Sequence, residues 1–88
     1  MLRISITKSA DGAAVLSLEG LVRGRFAEEL RKTCEPILAA GSQLTLELSQ
    51  VTFIDAQGVT VLRELEKNHV VFSNPSSFVS EVLKGAAL

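Results

Sequence analysis

The chain contains no tryptophan and no tyrosine, and it has one cysteine, Cys34, and one histidine, His69. A lone thiol cannot close a disulfide within the chain, and a lone imidazole leaves no Cys/His cluster to hold a metal. The aromatics are four Phe, too few for the stacking platforms that grip single-stranded nucleic acid. The formal net charge is −1, so no basic field marks a DNA or RNA binder. No apolar run approaches the roughly 20 residues that span a bilayer. The N-terminus alternates apolar and polar residues and does not read as a signal peptide. These absences lead to an expectation of a reducing, cytoplasmic setting without metal or cofactor.

What is present is ordinary for a folded domain. Hydrophobic residues make up 47% of the 88 positions and charged residues 22%, which argues against disorder. A chain of this length forms one domain, 1–88, and buries roughly 60–65% of its unfolded surface. No linker, repeat or low-complexity segment interrupts it.

Leu2, Ile4 and Ile6 alternate with Arg3, Ser5 and Thr7, the period of a half-buried strand. Asp11-Gly12 is a hairpin-turn signal, and Val15–Leu18 follows as an antiparallel second strand ending at Glu19-Gly20. Phe26, Leu30, Cys34 and Ile37 recur at helical spacing, predicting a helix from about Phe26 to Ala40. Pro36 should kink or split its last turns, Gly41 should stop it, and Glu28 is placed to pair with Lys32. Leu44, Leu46 and Leu48 form a third strand, followed by a connection over Ser49–Ile54. Asp55 then reads as the N-cap of a second helix carrying Val59, Leu62 and Leu65 and ending near Lys67-Asn68. Val70–Phe72 suits a short buried strand that begins at His69. Asn74-Pro75 reads as the cap and first residue of a third helix, with Phe78, Val79, Val82, Leu83 and Ala86 as its apolar stripe. The fold class is therefore α/β, a single small domain of order β-β-α-β-α-β-α, with a mixed sheet packed against helices. The crossovers are right-handed.

In such a sheet, ligands and partners favour the rim at the carboxyl ends of the parallel strands. Three loops qualify, at Gly20–Arg25, Gln50–Gln57 and Ser73–Ser77. They would place Arg23, Arg25, Asp55, Gln57 and Asn74 around the start of the second helix, whose free N–H groups suit an anion or a polar edge of a partner.

The segment Val51-Thr52-Phe53-Ile54-Asp55-Ala56-Gln57-Gly58 resembles the signature of STAS domains, the group that includes bacterial anti-sigma-factor antagonists. Their pattern is an apolar strand and turn, then Asp-Ser-Ser-Gly or Asp-Thr-Ser-Gly opening a helix. Leu18-Glu19-Gly20 and the Asn-Pro-Ser before Phe78-Val79 extend the resemblance over nearly the whole chain. It implies a non-enzymatic protein-interaction module. The residue after the motif Asp is often a phosphorylated serine or threonine, and here it is Ala56, with Gln57 in place of the second serine. The segment between Leu65 and Val70 is also shorter than the usual helix-to-strand connection.

A phosphoryl group adds about −1.5 to −2 charges, and Ala56 resembles the unmodified state in size and charge. The expectation is partner binding without phosphoryl control at Ala56, through Asp55, Ala56, Gln57, Gly58, Arg23, Arg25 and Asn74. The implied partner is a kinase-like anti-sigma factor. The alternatives are the ATPase subunit of a lipid-exporting transporter, or a small ligand or nucleotide sensed at the second helix. The sequence leaves a homodimer open.

Simpler roles compete residue by residue. Asp55 is explained by capping alone, Gly58 by close packing of helix on sheet, and Arg23 and Arg25 by solvation in a loop. Cys34 falls on the apolar stripe as a small core residue. His69 has no paired acid or nucleophile, and no triad, acid–base pair or Walker-type loop occurs, so an enzyme is not expected.

Overall fold

The structure, a computed structural model, describes residues 1–9 and 11–85. Four strands and three helices follow one another as β1 (Leu2–Lys8), β2 (Ala14–Val22), α1 (Gly24–Ala39), β3 (Leu44–Ile54), α2 (Ala56–Lys67), β4 (Val71–Ser73) and α3 (Ser77–Gly85). The order is the one the sequence predicts.

The sheet runs β1-β2-β3-β4. β1 pairs antiparallel with β2, and β2, β3 and β4 are mutually parallel. Strand alternation sorts the two faces. Leu16, Leu18, Leu44, Leu46 and Leu48 are fully buried with Ala27, Leu30 and Cys34 of α1 and Leu62 of α2. The intervening residues Arg3, Ser5, Thr7, Val15, Ser17, Glu19, Thr45, Glu47 and Ser49 lie on the opposite face, and none of them is buried. Among the described residues, the helices form a layer on one side of the sheet and leave its other face uncovered.

Local chemistry accounts for the turns. Gly12 adopts φ +89° in the β1–β2 hairpin, where its N–H donates to the Ser9 carbonyl. Helix α1 ends at Ala39, and Gly41 beyond its cap takes φ +78°. There the Gly41 N–H reaches the Leu38 carbonyl and the Ser42 N–H reaches the Ile37 carbonyl, the paired bonds of a Schellman stop.

Several expectations are corrected. β2 does not end at Glu19-Gly20 but continues to Val22. Gly20 permits this because it takes φ +109° beside the Met1 carbonyl, where any Cβ would lie 2.4 Å from that oxygen. β3 does not stop at Leu48: Ser49–Ile54 is strand, not connection. The Ser17/Glu19 and Gly20/Leu21 steps of β2 each face one extra residue of β3, so two bulges absorb the break in alternation. Helix α1 runs unsplit through Pro36. Only three helical residues follow the proline, so the helix ends about where a proline's missing N–H would weaken it. Glu28 pairs with Arg31, one turn away, rather than with Lys32, and Arg31 also approaches Glu35. His69 does not begin a strand; it sits in the turn before β4 with φ +68°. Finally, Asn74-Pro75 is not the start of α3. Proline disfavours the helical region for the residue before it, Asn74 takes φ +50°, and Ser76 caps the helix by accepting the Val79 N–H at 3.2 Å. In the apolar stripe of α3, Val79 is buried while Phe78 is 43% exposed, and Ala86 lies outside the described residues.

Candidate functional site

The rim at the carboxyl ends of β2 and β3 is built around Asp55. The side chain caps α2: Oδ1 accepts the Gly58 N–H at 2.7 Å. The other oxygen, Oδ2, accepts the N–H of Gly24 at 3.0 Å. Gly24 is the first residue of α1, and Arg23 before it makes no side-chain cap. One carboxylate therefore caps two helices, its own and the one after the neighbouring strand. The partial positive charges of both helix N-termini converge on it. The Asp55 N–H also donates to the Val22 carbonyl at 3.2 Å, fixing the chain as it leaves β3.

Gly58 closes the same corner from inside. A Cβ there would meet the Val22 carbonyl oxygen at 2.2 Å and the Ile54 Cγ2 at 2.9 Å. The first turn of α2 thus lies on the end of β2 at a distance only glycine allows.

With Asp55 and Gly58 committed to the scaffold, the accessible residues of the rim are different ones. Ala56 and Gln57 are exposed at the start of α2, and Arg23 and Arg25 are exposed beside them. The Arg25 guanidinium lies 5.5 Å from the centre of the Phe26 ring, close enough for a cation–π contact that orients it. Thr60, one turn along α2, is exposed and donates to the Ala56 carbonyl. Thr52 is also exposed, its hydroxyl donating to the Gly20 carbonyl at 3.2 Å.

Phe53 joins this surface unexpectedly. The second bulge turns it to the uncovered side opposite Leu21, where it is 41% exposed. Alternation through Val51 and Phe53 would have placed both inside. Only the polar pair Ser49-Gln50, which interrupts the leucine pattern, hints in the sequence that β3 changes phase.

Asn74 is not brought to this rim. β4 pairs only with Thr45–Glu47, whereas β3 continues to Ile54, roughly 20 Å further along the strand. The Asn74 amide instead donates to Glu47 Oε2 at 2.7 Å. Arg23, Arg25, Asp55, Ala56, Gln57 and Gly58 do come together; Asn74 belongs to a separate contact.

Cys34 is fully buried in α1, and burial pushes its thiol up to about 11. A thiol held in its neutral form this way is a poor nucleophile at neutral pH. Among the described residues no group of three or more His, Cys, Asp or Glu could hold a metal ion. No helix among them is long and apolar enough to cross a membrane.

Comparison with known proteins places this geometry. The fold resembles that of the anti-sigma factor antagonist SpoIIAA in its unphosphorylated form, with a TM-score of 0.76 and 16% identity, covering 93% of this chain and 82% of that one. It also resembles an anti-sigma factor antagonist from Mycobacterium paratuberculosis, with a TM-score of 0.73 and 21% identity over 98% and 80% of the two chains. A STAS-domain antagonist from Rhodobacter sphaeroides matches with a TM-score of 0.55 and 15% identity over 84% and 87%. No curated protein matches the sequence. The family model described as "Mlab, STAS domain" matches residues 6–88, nearly the whole chain, and the protein belongs to the STAS domain family.

Proposed function

We propose that this chain is a non-enzymatic interaction module of the cytoplasm that docks on a protein partner through the rim formed by Arg23, Arg25, Ala56 and Gln57, without phosphoryl control at position 56. The observation that carries this reading is the division of labour in the motif. Both oxygens of Asp55 are engaged by backbone N–H groups, so the motif's acid holds the rim in shape. The two residues after it are left exposed on a pre-formed surface, which lowers the ordering cost of docking. Ala56 offers a methyl group where a hydroxyl would be the point of modification.

The partner we infer is a kinase-like anti-sigma factor. Docking on the ATPase subunit of a lipid-exporting transporter uses the same rim and is the second reading. A substitution at Asp55 would confound docking with folding, so the test uses Ala56→Asp and Gln57→Lys. Both positions are exposed, and an acid in the first turn of a helix is compatible with its dipole. The wild-type chain is expected to co-purify with a kinase-like protein from its native host. Ala56→Asp should lower affinity for that purified protein by at least about tenfold, roughly 1.4 kcal/mol, with unchanged melting. Co-purification of a transporter ATPase moves the reading to the second partner. Unchanged binding in both variants removes the rim.

A further inference from the structure

β1 is an edge strand with nothing among the described residues beyond it. Its hydrogen-bond phase is readable. The Leu21 N–H donates to the Met1 carbonyl at 3.0 Å and the Ser9 N–H to the Ala13 carbonyl at 2.9 Å. In the β1–β2 register these pairs bracket Arg3↔Glu19, Ser5↔Ser17 and Thr7↔Val15. Antiparallel pairs alternate between bonded and non-bonded, so the odd residues of β1 bond to β2. The N–H and C=O groups of Leu2, Ile4, Ile6 and Lys8 consequently point outward along the free edge.

The side chains of the same four residues lie on the helical face, since Ile4 and Ile6 pair with the buried Leu18 and Leu16. The helical layer does not cover them fully. Ile6 is 49% exposed over an open groove of about 460 Å³, lined on its far side by Thr33, Pro36 and Ile37 of α1. An uncovered edge of this length next to an apolar groove is a site for strand addition.

The geometry points to a second copy of this chain as the occupant, paired β1 to β1 antiparallel about a two-fold axis through Ser5. That register sets Leu2 against Lys8 of the second copy and Ile4 against Ile6. Every outward N–H and C=O of Leu2, Ile4, Ile6 and Lys8 then has a partner. Shifting by two residues in either direction, which keeps the apolar face inward, leaves an end residue unpaired. Charge placement agrees: Lys8 lies opposite Leu2 and Arg3 opposite Thr7, so no cation faces another directly. The groove beside Ile6 and Lys8 is closed by Ile4 and Leu2 of the second copy, and the symmetry repeats this at the other end. The strands overlap over about 24 Å. A single strand pair is a small contact beside standard protein interfaces, so the dimer is expected to depend on concentration. It leaves the Asp55 rim free and does not rest on the function proposed for that rim.

Sedimentation equilibrium on the purified full chain, from about 1 µM to about 1 mM, is expected to show a monomer–dimer transition. Ile6→Lys, at a half-exposed position, should abolish the dimer while melting as cooperatively as the wild type. Ser5→Cys provides the register test. Non-bonded antiparallel neighbours lie about 4.5 Å apart at Cα, within disulfide range, so mild oxidation should trap a covalent dimer. Thr7→Cys, roughly 13 Å from its copy in this register, should not cross-link. Cys34, being buried, does not compete. A chain that stays monomeric throughout overturns the proposal, as does a dimer that Ser5→Cys fails to trap or that Thr7→Cys traps instead.

Discussion

Asp55 accepts the backbone N–H of Gly24 at 3.0 Å across a sequence separation of 31 residues. That bond ties the beginning of α1 to the beginning of α2, and it sets the spacing between Arg23, Arg25 and Gln57. Removing the carboxylate leaves the first N–H of α1 and the Gly58 N–H without this acceptor. Loss of a side-chain cap costs about 1 kcal/mol and an unpaired half-buried donor about 1–3. Asp55→Ala is therefore expected to lower stability by about 2–3 kcal/mol, a drop in Tm of roughly 10–20 °C for a domain this size. Asp55→Asn retains one acceptor oxygen and should fall between the two. Thermal melts of the three proteins check the order; an Asn variant as stable as the wild type would mean that only one of the two bonds matters.

Gly58→Ala is expected to reverse the usual helix rule. In an exposed helix this change stabilises by up to about 1 kcal/mol. Here the new methyl would lie 2.2 Å from the Val22 carbonyl oxygen, and this is backbone, which cannot rotate away. Separating α2 from the end of β2 should cost about 2–4 kcal/mol, as overpacking at rigid sites does. Urea denaturation reads this as a shift of the midpoint. A midpoint at or above the wild-type value would show that α2 has room to move.

The order of elements was legible because each has a clean period: two for Leu2–Ile6 and Leu44–Leu48, three to four for Phe26–Ile37. The strand ends were hidden because bulges let β3 pass through Ser49-Gln50 without ending, and because Gly20 serves here within a strand and not as its stop. Asn74-Pro75 satisfies the rule for a helix start, yet Ser76 meets it as well, and proline's effect on the preceding residue decides between them. At the site, the cap by Asp55 is a local relationship and could be read from four residues. Its bond to Gly24 is not local, and no pattern in the sequence announces it. The separation of Asn74 from the rim follows from the three-residue length of β4, which apolar periodicity does not determine.

The Glu47 carboxyl is held below the usual carboxylate range by hydrogen bonding with Ser49 first and with the Asn74 amide second. The Ser49 N–H donates to Oε1 at 2.8 Å. A group whose folded value is depressed contributes stability above its unfolded value and loses it as pH falls through the folded one. Asn74→Ala removes the second donor, so the Glu47 titration is expected to move up but to remain below the ordinary glutamate range. Carbon-detected NMR of the Glu47 carboxyl across pH 2–6 (about the acid limb for such groups) follows this directly. An unmoved titration would separate Asn74 from Glu47 in solution.

Cys34 supplies the opposite sign. Burial raises its thiol from 9.0 to about 11, because the thiolate would have to form inside the packed face of α1. The contribution is fully present below 9, where the thiol is neutral in both states. It is lost as pH rises from 9 towards 11, where the unfolded chain ionises first. Cys34→Ala lacks this dependence, and the lost sulfur packing should cost on the order of 1 kcal/mol at pH 8. Urea unfolding of both proteins at intervals from pH 8 to about 11 is expected to show the wild-type advantage shrinking steadily with pH. Alkylation of the native wild type at pH 8 should meanwhile be slow and accelerate only with denaturant, since the thiol has no solvent exposure. A stability difference that stays constant across this range, or a thiol that reacts freely in the folded protein, would place Cys34 outside the core.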